Sequence, residues 1–162
     1  MNKQDTLEFL DNRGIWYEVQ EHQPVYNMEE VGKLELPYPD ADAKNLFIRD
    51  DKKRNFYLLT VKGEKKIDLK EFKQKHNTRN LSFASPEYLM DILGLTPGAV
   101  SPLGLLNDEE RKVVFYIDND LVDGSGRIGV HPNENTATVW MYTKDLIDII
   151  EEHGNTVNIV EF

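Results

Sequence analysis

The 162-residue chain has no cysteine, which excludes disulfides, thiolate zinc sites and thiol nucleophiles together. It has no apolar run near the ~18 residues of a membrane span, and the residues from Met1 to Thr6 lead into a mixed stretch without the apolar core of a signal sequence. A cytoplasmic protein with no membrane partner is therefore expected. A P-loop, a dinucleotide fingerprint, a His-Glu-x-x-His helix and a nucleophile elbow are all missing, and Gly124-Ser125-Gly126 lacks the spacing that would make Ser125 a nucleophile. His22, His76, His131 and His153 are scattered without ligand spacing, so no metal and no cofactor are expected.

What is present is an ordinary globular composition, 40% apolar and 30% charged, with length for one hydrophobic core. One domain over residues 1–162 is expected. The formal charge of −10 argues against a polyanionic partner on average, but the charge is unevenly spread. Residues Lys44 to Asn80 hold 12 of the 19 basic and 5 of the 29 acidic residues, a net +7, against −17 for the remainder. Such asymmetry can turn one face toward a polyanion, although a lysine-rich solvated surface gives the same count.

Leu7 and Leu10 recur at helical spacing within Thr6 to Asn12, before Gly14, and predict a helix there. Ile15 to Val19 is rich in strand formers. A second helix is expected from Asn27, with Glu30 as its capping-box partner, ending before Pro37 and Pro39. Lys44 to Arg49 and Asn55 to Val61 read as a hairpin around the charged turn Asp50 to Arg54. Asp68 can cap a helix over Leu69 to His76, Leu81 to Ala84 is a short strand, and Ser85-Pro86 opens a helix that Gly94 stops. Thr96 to Gly104 reads as an irregular loop. Strands follow at Val113 to Ile117, Arg127 to Val130 and Thr136 to Tyr142, then a helix with Thr143 as cap and a Leu146, Ile149, Ile150 stripe ending at Gly154, and a strand from Val157 to Val160. Hairpins beside irregularly spaced helices favour an α+β (mixed α/β) fold with a curved, largely antiparallel mixed sheet or partial barrel surrounded by helices.

Asp118, Asp120 and Asp123 fall in a turn and Glu151-Glu152 at a helix end, where solvation is the default reading. Lys44 alone would be a surface lysine, but it stands at the mouth of a strand whose Leu46-Phe47-Ile48 run anchors its backbone. The loop Gly98 to Pro102 is either a connector or a source of inward backbone N–H donors for a carbonyl developing negative charge. His131, in a His-Pro-Asn turn, either caps that turn or faces a ligand.

Taken together, His22-Gln23-Pro24-Val25-Tyr26, Lys44-Asn45-Leu46-Phe47-Ile48-Arg49-Asp50, Gly98-Ala99-Val100-Ser101-Pro102-Leu103-Gly104 and Gly129-Val130-His131-Pro132-Asn133-Glu134-Asn135 resemble the YbaK-like aminoacyl-tRNA deacylases, a family that includes the editing domain of bacterial prolyl-tRNA synthetases. The wording of the glycine loop and the His-Pro-Asn turn resembles most the free-standing branch that hydrolyses alanine mischarged onto proline tRNA. The resemblance implies a metal-free ester hydrolase without a covalent nucleophile, its water aided by the substrate's own 2′-hydroxyl. It implies catalytic roles for Lys44, Gly98 and His131: the lysine anchors the terminal adenosine or its phosphate, and the loop backbone positions the aminoacyl carbonyl. Asn45, Ala99, Val100, Ser101 and Pro102 would line the substrate site. Lys73, Lys75 and Arg79 are the expected contacts to the acceptor stem. The expected partners are the alanine-bearing acceptor end of proline tRNA and, transiently, prolyl-tRNA synthetase; no DNA is expected. Cysteinyl-tRNA deacylation and non-catalytic tRNA binding are the alternatives.

Overall fold

A computed structural model describes residues 1–24 and 36–162. The helix expected from Asn27, with Glu30, and the Val25-Tyr26 pair lie outside the described residues. The elements run α1 (Lys3–Asn12), β1 (Tyr17–Glu21), β2 (Ala43–Asp50), β3 (Phe56–Lys62), α2 (Leu69–His76), β4 (Leu81–Phe83), α3 (Pro86–Leu93), β5 (Val113–Asp118), α4 (Asn119–Val122), β6 (Arg127–Val130), β7 (Ala137–Tyr142), α5 (Thr143–His153) and β8 (Val157–Val160). The α+β class and the largely antiparallel, mixed pairing are as expected, and they are divided between two sheets. One has the order β4-β2-β3-β5-β8 and the other β1-β7-β6. In the first, β2 runs antiparallel to β3 and β4, while β3, β5 and β8 are parallel; the second is antiparallel throughout.

Local chemistry explains most boundaries. Asn2 caps α1 in a capping box with Asp5, which starts that helix three residues before Thr6. Asp68 accepts from the amides of Lys70 and Glu71, and Ser85 from that of Tyr88, each satisfying donors that a helix start leaves free. Buried Asp50 closes the β2–β3 turn by accepting from Arg54 N and Asn55 Nδ2.

Three expectations are corrected. Thr143 does not cap α5: Tyr142 holds the cap position without a side-chain bond, and the Thr143 hydroxyl donates to Leu121 O instead. Asp118 is not solvated; it is fully buried, accepting from Lys62 N, Asp120 N and Lys65 Nζ, partners that a turn reading could not foresee. Within Thr96 to Gly104, prolines that prevent α-helix are compatible with 3-10 turns, formed at Pro97–Ala99 and Pro102–Asn107.

Alternation along the central strands builds two cores. Phe47, Phe56 and Leu58 join the large cluster shared with α3, α5 and the three-stranded sheet, whereas Ile48 and Leu59 join Phe72 of α2 on the opposite face. Among the described residues no helix is long and apolar enough to cross a membrane.

Candidate active site

Strand β2 connects the two halves of the expected site. Asn45 pairs with Thr60 on β3, whose hydroxyl donates to Asn45 Oδ1 and fixes the amide on the main-core side of the sheet. There Asn45 lines a pocket of about 260 Å³ together with Phe47, Leu89, Pro97 and Val100. The structure thus joins the Lys-Asn-Leu-Phe strand to the glycine loop through Asn45 and Val100. Gly98 lies within the Pro97–Ala99 turn, and Ala99, Ser101 and Pro102 are buried. The Ser101 side chain is 0% exposed and accepts from Leu103 N, capping the following 3-10 turn. The hydroxyl is turned away from solvent and the Ser101 carbonyl accepts from Gly104 N, so the whole residue serves to shape the loop.

Lys44 precedes Asn45 and, by strand alternation, falls on the side of Leu46 and Ile48. It is half-buried, and among the described residues no hydrogen bond or ion pair engages its ammonium. Burial first, and then the charge of Lys66, holds its pKa below the usual lysine value. Because β4 pairs β2 only from Ile48 onward, the strand edge beside Lys44 is not occupied by β4, and alternation sets the Lys44 side chain on the face opposite Asn45 and its pocket.

His131 follows β6. Its Nδ1 lies 2.9 Å from Ala137 O, and since a carbonyl only accepts, Nδ1 carries the proton and Nε2 is the remaining lone pair. Burial, together with His22 whose ring lies 6.2 Å away, holds its pKa below the ordinary histidine range against the raising effect of that bond. His131 therefore both ties the turn and keeps one nitrogen as an acceptor. No hydrogen bond or ion pair among the described residues links Lys44, the glycine loop and His131 to one another.

The three expected acceptor-stem residues are exposed or nearly so and have partners within the chain. Lys73 Nζ donates to Asn80 Oδ1 and Lys75 Nζ to Glu161 O, each at 2.6 Å. Arg79 forms a two-pronged ion pair with Asp51 at 2.6 and 3.2 Å. Such pairs are weak in water, so a phosphate can compete for these cations.

Sequence reading passed over Asp42, which immediately precedes β2. Burial chiefly, with Glu64 adding to it against a bond from Ala43 N, pushes its pKa up to about 6 from 3.8. The folded state then holds this proton to higher pH than the unfolded chain, so its contribution to stability falls as pH rises from about 4 to about 6. Asp42→Asn should therefore stabilise the fold at pH 7.5 by on the order of 1–2 kcal/mol, discounted for partial exposure, and the gain should vanish by about pH 4. Thermal unfolding at both pH values checks this; an equal effect at both contradicts the assignment. Its burial depends on contacts that the sequence does not display.

Residues 22–149 match the aminoacyl-tRNA editing domain family, to which the chain belongs. It is 44% identical to the prolyl-tRNA editing protein ProX of Acetoanaerobium sticklandii, over 98% of this chain and 96% of that protein. It is 32% identical to prolyl-tRNA synthetase associated domain-containing protein 1 of Danio rerio, over 99% of this chain and 87% of that one. A solved structure described as a candidate trans-editing enzyme for prolyl-tRNA synthetase superposes with a TM-score of 0.71 at 21% identity, covering 100% of this chain and 98% of the other. At that identity the likeness speaks for the fold.

Proposed function

We propose that this editing-family protein hydrolyses the ester between alanine and proline tRNA, acting in trans on released aminoacyl-tRNA. The observation that carries the reading is the meeting of Asn45 with Pro97 and Val100 in one small, mostly apolar pocket, at the two motifs that match the family. A synthetic site that admits proline cannot expel a smaller amino acid by sterics, since one methylene is worth only ~1–3 kcal/mol, so a second, smaller sieve is required. Phe47, Leu89 and Val100 give the pocket the apolar wall that an alkyl side chain requires.

In this reading the backbone amides of Gly98 and Val100 face the scissile carbonyl. Those of Ala99, Leu103 and Gly104 are committed to Thr96 O, Ser101 Oγ and Ser101 O. Lys44 supplies positive charge to the terminal adenosine or its phosphate, and His131 Nε2 accepts a hydrogen bond at the rim. The inward Ser101 hydroxyl supports attack by water rather than by a side-chain nucleophile. Acceptor-stem contacts fall to Lys73, Lys75 and Arg79. A cytoplasmic setting and a transient association with prolyl-tRNA synthetase belong to the same proposal.

Incubating the protein with alanyl-, cysteinyl- and prolyl-tRNA separates the possibilities: alanyl-tRNA should be consumed fastest and prolyl-tRNA spared. Preference for cysteinyl-tRNA would favour the alternative edited residue, and binding without turnover a non-catalytic module. The lowered His131 pKa gives a pH expectation. Deacylation should be level through neutral pH and decline below the ordinary histidine range as Nε2 is protonated, and this decline should be absent in the residual activity of His131→Ala. A decline that persists unchanged in that variant would remove His131 from the profile.

A further inference from the structure

The face of the three-stranded sheet that carries His131 continues away from it into an aromatic and cationic surface. With Gly129 opposite Trp140 and Arg127 opposite Tyr142, strand alternation puts Arg127, Gly129, Trp140 and Tyr142 on the side away from Ile128, Val130, Val139 and Met141, which are in the main core. Gly129 is required there, because a Cβ would collide with the ring of the buried Trp140, which therefore lies over the β6 backbone. Beyond it, Trp16 and Tyr142 are 37% and 41% exposed with ring centroids 4.9 Å apart. Tyr38 joins both Trp16 and Trp140, at 6.3 and 6.0 Å. The Arg127 guanidinium carbon stands 4.7 Å from the Tyr38 ring, 5.6 Å from Tyr142 and 5.7 Å from Trp16.

This cluster is left with unmet hydrogen-bonding capacity. Among the described residues the Arg127 guanidinium makes no hydrogen bond or ion pair, although the Arg127 backbone N donates to Ser125 Oγ, and its Nε and the Trp140 Nε1 are buried without a partner. A guanidinium stacked on rings keeps its in-plane N–H groups directed at an acceptor such as phosphate. Exposed rings beside an unpaired arginine are the chemistry that holds single-stranded nucleic acid, through base stacking and backbone phosphate. Four residues of extended strand separate Arg127 from His131, roughly 13 Å, the reach of a short single strand.

Resting on the proposed function, we infer that this face binds the single-stranded end of the tRNA acceptor arm: one or more bases stack on Trp16 and Tyr142, and a phosphate is held by Arg127. The nucleotides just before the terminal adenosine then run along β6 toward His131.

The chain has two tryptophans, one exposed and one buried, so titration with a short RNA that ends in CCA and carries no amino acid can be followed by quenching of Trp16. Saturable quenching is expected. Trp16→Ala and Arg127→Ala, with binding followed by a fluorophore on the RNA, should each weaken binding by about tenfold, Trp16→Phe should restore most of it, and Arg127→Ala should lower the salt slope by about one. Thermal unfolding of each variant separates lost binding from lost folding. No quenching at low salt, or unchanged affinity in both alanine variants, overturns the inference. Quenching by wild type that leaves alanyl-tRNA intact would reject the deacylase reading and keep the RNA surface; deacylation unaffected in either variant, without quenching, would do the reverse.

Discussion

Lys44→Ala is expected to reduce kcat/KM for alanyl-tRNA deacylation by at least about 100-fold, the loss typical when one preorganised electrostatic group is removed from a transition state, while thermal stability changes little. The second half follows from its surroundings. The ammonium is partly desolvated and has no ion pair among the described residues, so truncation leaves no buried counter-charge behind. Lys44→Arg keeps the charge but changes its shape and reach, and should recover only part of the activity. Steady-state kinetics and thermal unfolding on the three proteins decide it. Full activity in Lys44→Ala removes the lysine from the mechanism, and a collapsed unfolding temperature shows that it is structural instead.

The largest effect on stability is expected at Asp108. It is 2% exposed and accepts from Val113 N and Asn155 Nδ2 at 2.9 Å and from Lys112 N at 3.2 Å, tying the end of the Pro102–Asn107 turn to β5 and to the segment that enters β8. Asp108→Ala leaves buried donors without an acceptor, and should cost about 3–4 kcal/mol. For a domain of this size that is roughly a 10 °C fall in Tm. Asp108→Asn retains one acceptor oxygen and should lose about half as much. Because the glycine loop leads directly into this turn, the alanine variant should also lose deacylation at temperatures where it is still folded. Calorimetry on the two variants checks the ranking, and equal losses would mean that packing rather than hydrogen bonding sets the effect.

Features governed by neighbours in sequence were legible. The helix of Leu69–His76 starts at its Asp68 cap and ends at Asn77, and that of Pro86–Leu93 lies between Ser85 and Gly94, whose φ of 66° suits a glycine. Features governed by distant partners were not. Asp118 looks like a turn residue until Lys62 and Lys65 arrive beside it, more than 50 positions away. Thr143 looks like a cap until the Leu121 carbonyl claims its hydroxyl. The division into two sheets depends on β1 pairing with β7 at the far end of the chain. The site follows the same rule: Lys44, Asn45 and the glycine loop stand out as motifs, whereas the Asn45–Val100 pocket, the tautomer of His131 and the Trp16–Tyr142–Arg127 cluster exist only once the strands are in register.

The most direct measurement is a single-turnover time course of labelled alanyl-tRNA specific for proline, with protein in excess. The proposal predicts release of free alanine at a rate at least about 100-fold above buffer, with intact tRNA as the other product and prolyl-tRNA unaffected. Loss of alanine at the buffer rate would contradict it.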